Sequence, residues 1–158
     1  MTLSRSLLGR TSFLWAVGFV VLVITAGVVG TAARLGVPQM PGADTYYVVA
    51  HFHYLPSLGV TFLIFGGIYL ALEQLRRGRH RRLLGGLHFA AMFAGALGIF
   101  APVLLLGVTS MPHRFADPIG EFRIWNAISA GGYGLTLAAQ VFFLAALIDA
   151  LRPSPHIG

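Results

Sequence analysis

Apolar residues run through the chain in four long blocks, separated by short polar or glycine- and proline-rich breaks. The blocks cover residues 13–33, 45–75, 83–108 and 125–151. Each meets the requirement of about 20 residues for a helix that crosses a bilayer. Gly36, Pro38, Pro41 and Gly42 break the first connection, the run Arg76–Arg82 the second, and Pro112, Pro118 and Gly120 the third, all residue types that favour turns. No segment remains for a soluble domain. The pattern predicts an all-α protein, an integral membrane four-helix bundle, with residues 1–158 forming a single transmembrane domain. Arg5 and Arg10 before the first block, and Ala32 and Ala33 at its end, also suit a signal peptide. The apolar core exceeds the roughly 7–15 residues of such signals, so the block is read as a retained helix.

Composition agrees. Of 158 residues, 56% are hydrophobic and 10% charged, and the mean hydropathy is +0.78, against about 25% charged residues in an ordinary soluble domain. The chain contains no cysteine, which removes disulfides, thiolate metal sites and cysteine nucleophiles. All 11 cations are arginine, and the net charge is +6. With the N-terminus in the cytoplasm, that side carries Arg5, Arg10, Arg76, Arg77, Arg79, Arg81, Arg82 and Arg152; the other carries Arg34, Arg114 and Arg123. This distribution follows the positive-inside rule and predicts both termini in the cytoplasm. The basic surplus therefore marks topology, and nucleic acid is excluded as a partner. The run 76–82 also offers a surface for anionic lipid head groups.

Small residues recur inside the blocks, at Gly27, Gly30, Gly66, Gly67, Gly95, Gly98, Gly131, Gly132 and Gly134. They permit close helix approach in lipid, either within one chain or between copies. Ionisable groups inside a membrane point to function by default. Glu73 and Asp149 fall near helix ends and are expected to be solvated. His80 and His156 fall in exposed segments, and His88 reads as a structural histidine. Neither a hydrolytic arrangement nor a phosphate-cradling glycine loop is present.

His51-Phe52-His53 remains, inside the second block. Counting from Asp44 at the outer face, a rise of 1.5 Å per residue places the pair roughly 10–14 Å deep. Residues two apart on a helix point about 200° apart, so the two imidazoles face opposite sides and do not chelate one metal together. Each is able to ligate a separate iron, or one ligates while the other donates a hydrogen bond. Imidazole is a usual axial ligand of haem iron, and Phe52 lies between the two faces.

The segment Asp44-Thr-Tyr-Tyr-Val-Val-Ala-His51-Phe-His53-Tyr54 resembles the haem-ligand segment of haem–copper oxidase subunit I. His88-Phe-Ala-Ala-Met-Phe, Met111-Pro-His-Arg114-Phe and Trp125-Asn126-Ala-Ile-Ser129 are similar, in the same order, to that family's next helix, its Met-Pro-Arg-Arg-Tyr loop and the start of its last helix. The resemblance covers nearly all of the chain and the last third, four helices, of the family's protein. It implies that His51 is the proximal ligand of a high-spin haem and His53 an axial ligand of a low-spin haem. Arg114 would pair with haem propionates, with Asp44 nearby. His113 stands where the family has the first loop arginine, and Ala43 where it has a histidine. Pro56 follows the ligands. The helices that bring the family's copper-binding histidines, its cross-linked tyrosine and the other low-spin ligand have no counterpart.

His88 is a poor partner for His53, because their depths differ on the order of 10 Å by helix rise, while two ligands on one iron stand about 4 Å apart at ordinary metal–imidazole bond lengths. A second chain is the remaining source of a sixth ligand, and a two-fold dimer would bring two His53 side chains, or His51 and His53, to one haem. The resulting expectation is a haem-binding membrane protein with electron-transfer function in a respiratory chain, in the bacterial inner membrane, as a homodimer or with other membrane subunits. The haem type, a or b, and any copper stay open. Two other readings stand beside it: one piece of a split cytochrome c or quinol oxidase that reduces oxygen with a partner chain, and a haem-free assembly subunit.

Overall fold

The computed structural model describes residues 10–34, 53, 55–75, 82–108, 120 and 123–152. Four helices account for nearly all of them: α1 Thr11–Arg34, α2 Leu55–Leu75, α3 Arg82–Val108 and α4 Arg123–Leu151. The boundaries follow the apolar blocks within two residues, apart from the start of α2. Its described part begins at Leu55, with Pro56 the next residue. The expected stretch 45–52 lies outside the described residues. α3 continues through Pro102, as helices in lipid do when neighbouring groups satisfy the freed carbonyl.

α2, α3 and α4 are long and apolar enough to cross a membrane, and α1 adds an apolar stretch, Thr11–Thr25. The surface explains why lipid is the solvent. Val20, Val23, Ile24 and Val28 of α1, Leu63 and Ile64 of α2, and Leu137, Val141, Leu144 and Ile148 of α4 are all exposed. Each such side chain would forfeit about 1.5–3 kcal/mol if held in water. The protein is an integral membrane protein with an all-α fold.

The helices pack chiefly as two pairs, α1 with α2 and α3 with α4, with a narrower contact between α1 and α3. α4 buries Ser129, Gly132, Ala139, Ala146 and Ala150, a stripe of small residues that brings its backbone close to α3. At the tightest point a Cβ on Gly95 would stand 2.6 Å from Thr136 Cγ2, and one on Gly132 would stand 2.8 Å from the Gly95 carbonyl oxygen. These glycines therefore serve packing within the chain. The bundle is pinned where side chains are large. Trp15 of α1, Phe62 and Tyr69 of α2 and Met92 of α3 form the centre of one core. A smaller cluster at the opposite end joins Leu55 of α2 to Phe100 and Val103 of α3.

Glu73 departs from the expectation of a solvated side chain. The Ser12 N–H donates to its Oε1 at 3.2 Å and the Ser12 hydroxyl to its Oε2 at 2.6 Å. A carboxylate from the end of α2 thus satisfies an orphan amide at the start of α1, where the helix dipole also favours negative charge. The contact fixes the two helices antiparallel, with the start of α1 beside the end of α2.

Candidate functional site

Two chemically distinct regions lie between the helices. The first is a closed aromatic cage around His88. This side chain is fully buried, with ring centroids of Phe65 at 4.6 Å, Trp15 at 4.9 Å, Phe143 at 5.3 Å and Tyr69 at 5.8 Å. Its Nδ1 shares a hydrogen bond with the Tyr69 hydroxyl at 3.0 Å. Nε2 of His88 and Nε1 of Trp15 are buried without a hydrogen-bond partner among the described residues. His88 is structural, as its position in the sequence suggested, but only half satisfied. Its role is to tie α3 to α2 inside a ring of aromatics drawn from the other three helices.

The second region is a cavity of about 630 Å³ between α2, α3 and α4. His53, Ser57, Leu58, Thr61 and Phe65 line it from α2, Met92 and Ile99 from α3, and Tyr133, Thr136, Leu137 and Gln140 from α4. That volume lies in the range of cofactor and ligand sites, roughly 300–1,000 Å³, as does a mainly apolar wall with a few placed polar groups. Phe65, on its wall, meets Phe143 of α4 at a centroid distance of 5.1 Å.

The polar groups of the wall are ordered by their own helices. Ser57 donates to the His53 carbonyl at 2.7 Å, Thr61 to the Ser57 carbonyl at 2.8 Å, and Thr136 to the Tyr133 carbonyl at 2.8 Å. Gln140 donates through Nε2 to the Thr136 carbonyl at 2.9 Å and to the Met92 sulfur at 3.2 Å. Hydroxyl protons turned back on the backbone remove the cost of burying them in lipid. Ser57 and Thr61 follow His53 at i+4 and i+8, and Tyr133, Thr136 and Gln140 repeat at three and four residues on α4. Helical spacing from His53 would have exposed the first pair, whereas nothing in the sequence joined α4 to them.

Among the sequence-derived site residues, the structure describes His53, exposed and on the cavity wall. Asp44, His51, Phe52, His113 and Arg114 lie outside the described residues. The donor set suits haem: imidazole is a standard axial ligand, and Met is the other wall residue known in that role. Met92 does not share an iron with His53, however. Leu55 packs beside Phe100 and Val103, so Met92 sits at least eight residues, or about 12 Å of helix rise, farther along, and its sulfur accepts from Gln140. His88 lies deeper still, by about 18 Å on the same count. Among the described residues the cavity wall thus offers one imidazole, His53, with neither Met92 nor His88 at its level.

Comparison with known proteins agrees with these features. The family described as "Cytochrome C and Quinol oxidase polypeptide I" matches residues 1–135. The chain is 40% identical over 148 residues to a cytochrome c oxidase subunit 1 from Cereibacter sphaeroides, covering 94% of this chain and 26% of that protein. It is 34% identical over 145 residues to a cytochrome c oxidase subunit 1 from Yarrowia lipolytica, covering 92% and 27%. The chain spans about a quarter of the length of these relatives.

Proposed function

The chain belongs to the cytochrome c and quinol oxidase polypeptide I family, and on that premise we propose that it is a haem-binding, electron-carrying component of a respiratory membrane. The observation that carries the reading is the position of His53, an imidazole on the wall of an open cleft of about 630 Å³ between three helices. His53 would hold the iron of one haem there, and His51, two residues earlier, that of a second. When bound, haem contributes an iron that accepts and releases one electron.

The chain's own residues do the rest. The apolar wall formed by Leu58, Phe65, Ile99 and Leu137 excludes water and lowers the local dielectric, which favours tight coordination and shapes the potential. Ser57 and Thr61 donate their hydroxyl protons to the α2 backbone, which satisfies them on the cavity wall. Arg114, with His113 and Asp44, is assigned to the propionates by charge-assisted hydrogen bonding. The second ligand for the His53 iron comes from a partner, either a further membrane subunit or a second copy of this chain. The bacterial inner membrane is the compartment proposed.

Pyridine haemochrome analysis of the purified protein tests this. The expected result is bound haem by that assay, a low-spin absorption spectrum of the native protein recorded beforehand, and loss of the native low-spin bands in His53→Ala. A protein without a Soret band, isolated from cells that make haem, overturns the reading and leaves a haem-free assembly role. A second reading rests on the relatives, both named cytochrome c oxidase subunit 1. The chain would then join a partner that brings a copper site, and the composite would reduce oxygen. Copper quantification and oxygen consumption of the co-purified complex separate it from the first.

A further inference from the structure

Two ring nitrogens inside the aromatic cage stand without a hydrogen bond among the described residues, Nε1 of Trp15 and Nε2 of His88. Both side chains are fully buried. Their ring centroids lie 4.9 Å apart, with the planes tilted by 51°. The other nitrogen of His88, Nδ1, is engaged by the Tyr69 hydroxyl at 3.0 Å. A buried polar atom left without a partner is costly, and in hydrocarbon no bulk solvent relieves that cost. Two such atoms on neighbouring rings therefore require an account. The rings also come from different helices, Trp15 from α1 and His88 from α3. Direct contact between these helices is narrower than within the α1–α2 and α3–α4 pairs, so a polar link there would add to the packing.

We propose that the cage holds one water molecule, bridging Nε1 of Trp15 and Nε2 of His88. The chemistry of the two atoms selects that occupant. An indole N–H only donates, so the guest has to accept a hydrogen bond, which excludes a metal ion or an ammonium. No group of three metal-ligating side chains occurs among the described residues in any case. An anion is excluded by the cost of a charge inside the membrane. Phe65, Phe143 and Tyr69 stand around the imidazole at centroid distances of 4.6, 5.3 and 5.8 Å, which excludes a bulky guest. A small neutral molecule that both accepts and donates is left, and water is that molecule. Buried waters ordinarily make about two to four hydrogen bonds to polar groups that lack other partners. Here the water accepts from the indole and donates to Nε2. The proton of the neutral imidazole then sits on Nδ1 and is donated to the Tyr69 oxygen. A chain from Trp15 through water and His88 to Tyr69 ties α1, α3 and α2 together, and the second water proton faces a ring, a weak acceptor. With the proton on Nε2 instead, two donors would face the water and neither of its own protons would have a nitrogen to receive it. The proposal does not depend on haem.

Solid-state NMR of the full chain in phospholipid bilayers, with isotope-labelled nitrogen in the tryptophan and histidine rings, tests it. The expected result is a cross-peak from water to the Trp15 indole N–H that persists when the signal of mobile water is filtered out. His88 should show a protonated Nδ1 and a bare, hydrogen-bonded Nε2. Trp15→Phe removes the donor that holds the water, so the Nε2 resonance of His88 should shift while its Nδ1 resonance stays in place. His88→Phe assigns the imidazole signals by their loss. An indole without a water cross-peak, or a proton on Nε2 of His88, overturns the proposal on the native chain alone, whether or not the variants fold. A direct coupling between the two nitrogens in place of the water overturns it as well, as does an Nε2 resonance that Trp15→Phe leaves unmoved.

Discussion

The Tyr69 hydroxyl and Nδ1 of His88 lie 3.0 Å apart, joining α2 to α3 through a hydrogen bond sealed inside aromatic rings. In hydrocarbon no water replaces a lost partner, so the bond matters through what its absence leaves behind. Tyr69→Phe is expected to lower stability by about 1 kcal/mol, in line with polar contacts between membrane helices. Combining it with His88→Leu, which removes the stranded imidazole, should recover part of that loss. Thermal unfolding in a mild detergent gives the comparison, and a double variant whose loss equals or exceeds the sum of the singles would mean that the bond contributes little.

The Ser12–Glu73 contact predicts a helix-start effect. Glu73→Ala removes both acceptors and should cost about 1 kcal/mol, as loss of a cap does. Hydrogen exchange should rise at the first amides of α1 and not along α3. Uniform exchange across the bundle would assign Glu73 a different role.

Close packing predicts a contrast between two glycines on one helix. Gly132→Ala drives a methyl to within 2.8 Å of the Gly95 carbonyl oxygen, whereas Gly134→Ala points into open space. The first should cost about 1–3 kcal/mol, as overpacking does. The second should leave the melting temperature nearly unchanged, or raise it slightly through helix propensity.

Filling the His53 cavity should separate haem binding from folding. Thr61→Trp places a large side chain on the wall of that space. Haem content measured by haemochrome should fall at least about tenfold, the scale on which surroundings tune metal affinity, with helix content retained by circular dichroism. Full haem occupancy in this variant would move the site elsewhere.

The fold was legible because lipid imposes a simple rule. A spanning segment has to satisfy its own backbone and present apolar side chains, so four helices could be read from block length alone, down to the ends of α3 and α4. His53 drew attention for a related reason. Where nearly every residue is apolar, an imidazole stands out, and His53 duly lines a cavity. Glu73 was misjudged because its position near a helix end suits solvent as well as a cap, and only the adjacent start of α1 decides between them. The glycines were ambiguous on the same ground. Gly95 and Gly132 face each other within the chain, whereas Gly67 and Gly134 look outward, a distinction of helix rotation that composition does not encode.

By itself, then, the sequence determined the elements, their apolar character and the candidate ligand, since each follows from local chemistry in a hydrocarbon solvent. The tertiary structure alone decided which faces meet: the gap that Tyr133, Thr136 and Gln140 of α4 share with His53, and the cage that closes over His88. These depend on the rotation and spacing of helices set by a few close contacts, Gly95 against Gly132 and Ser12 against Glu73, between residues far apart in the chain.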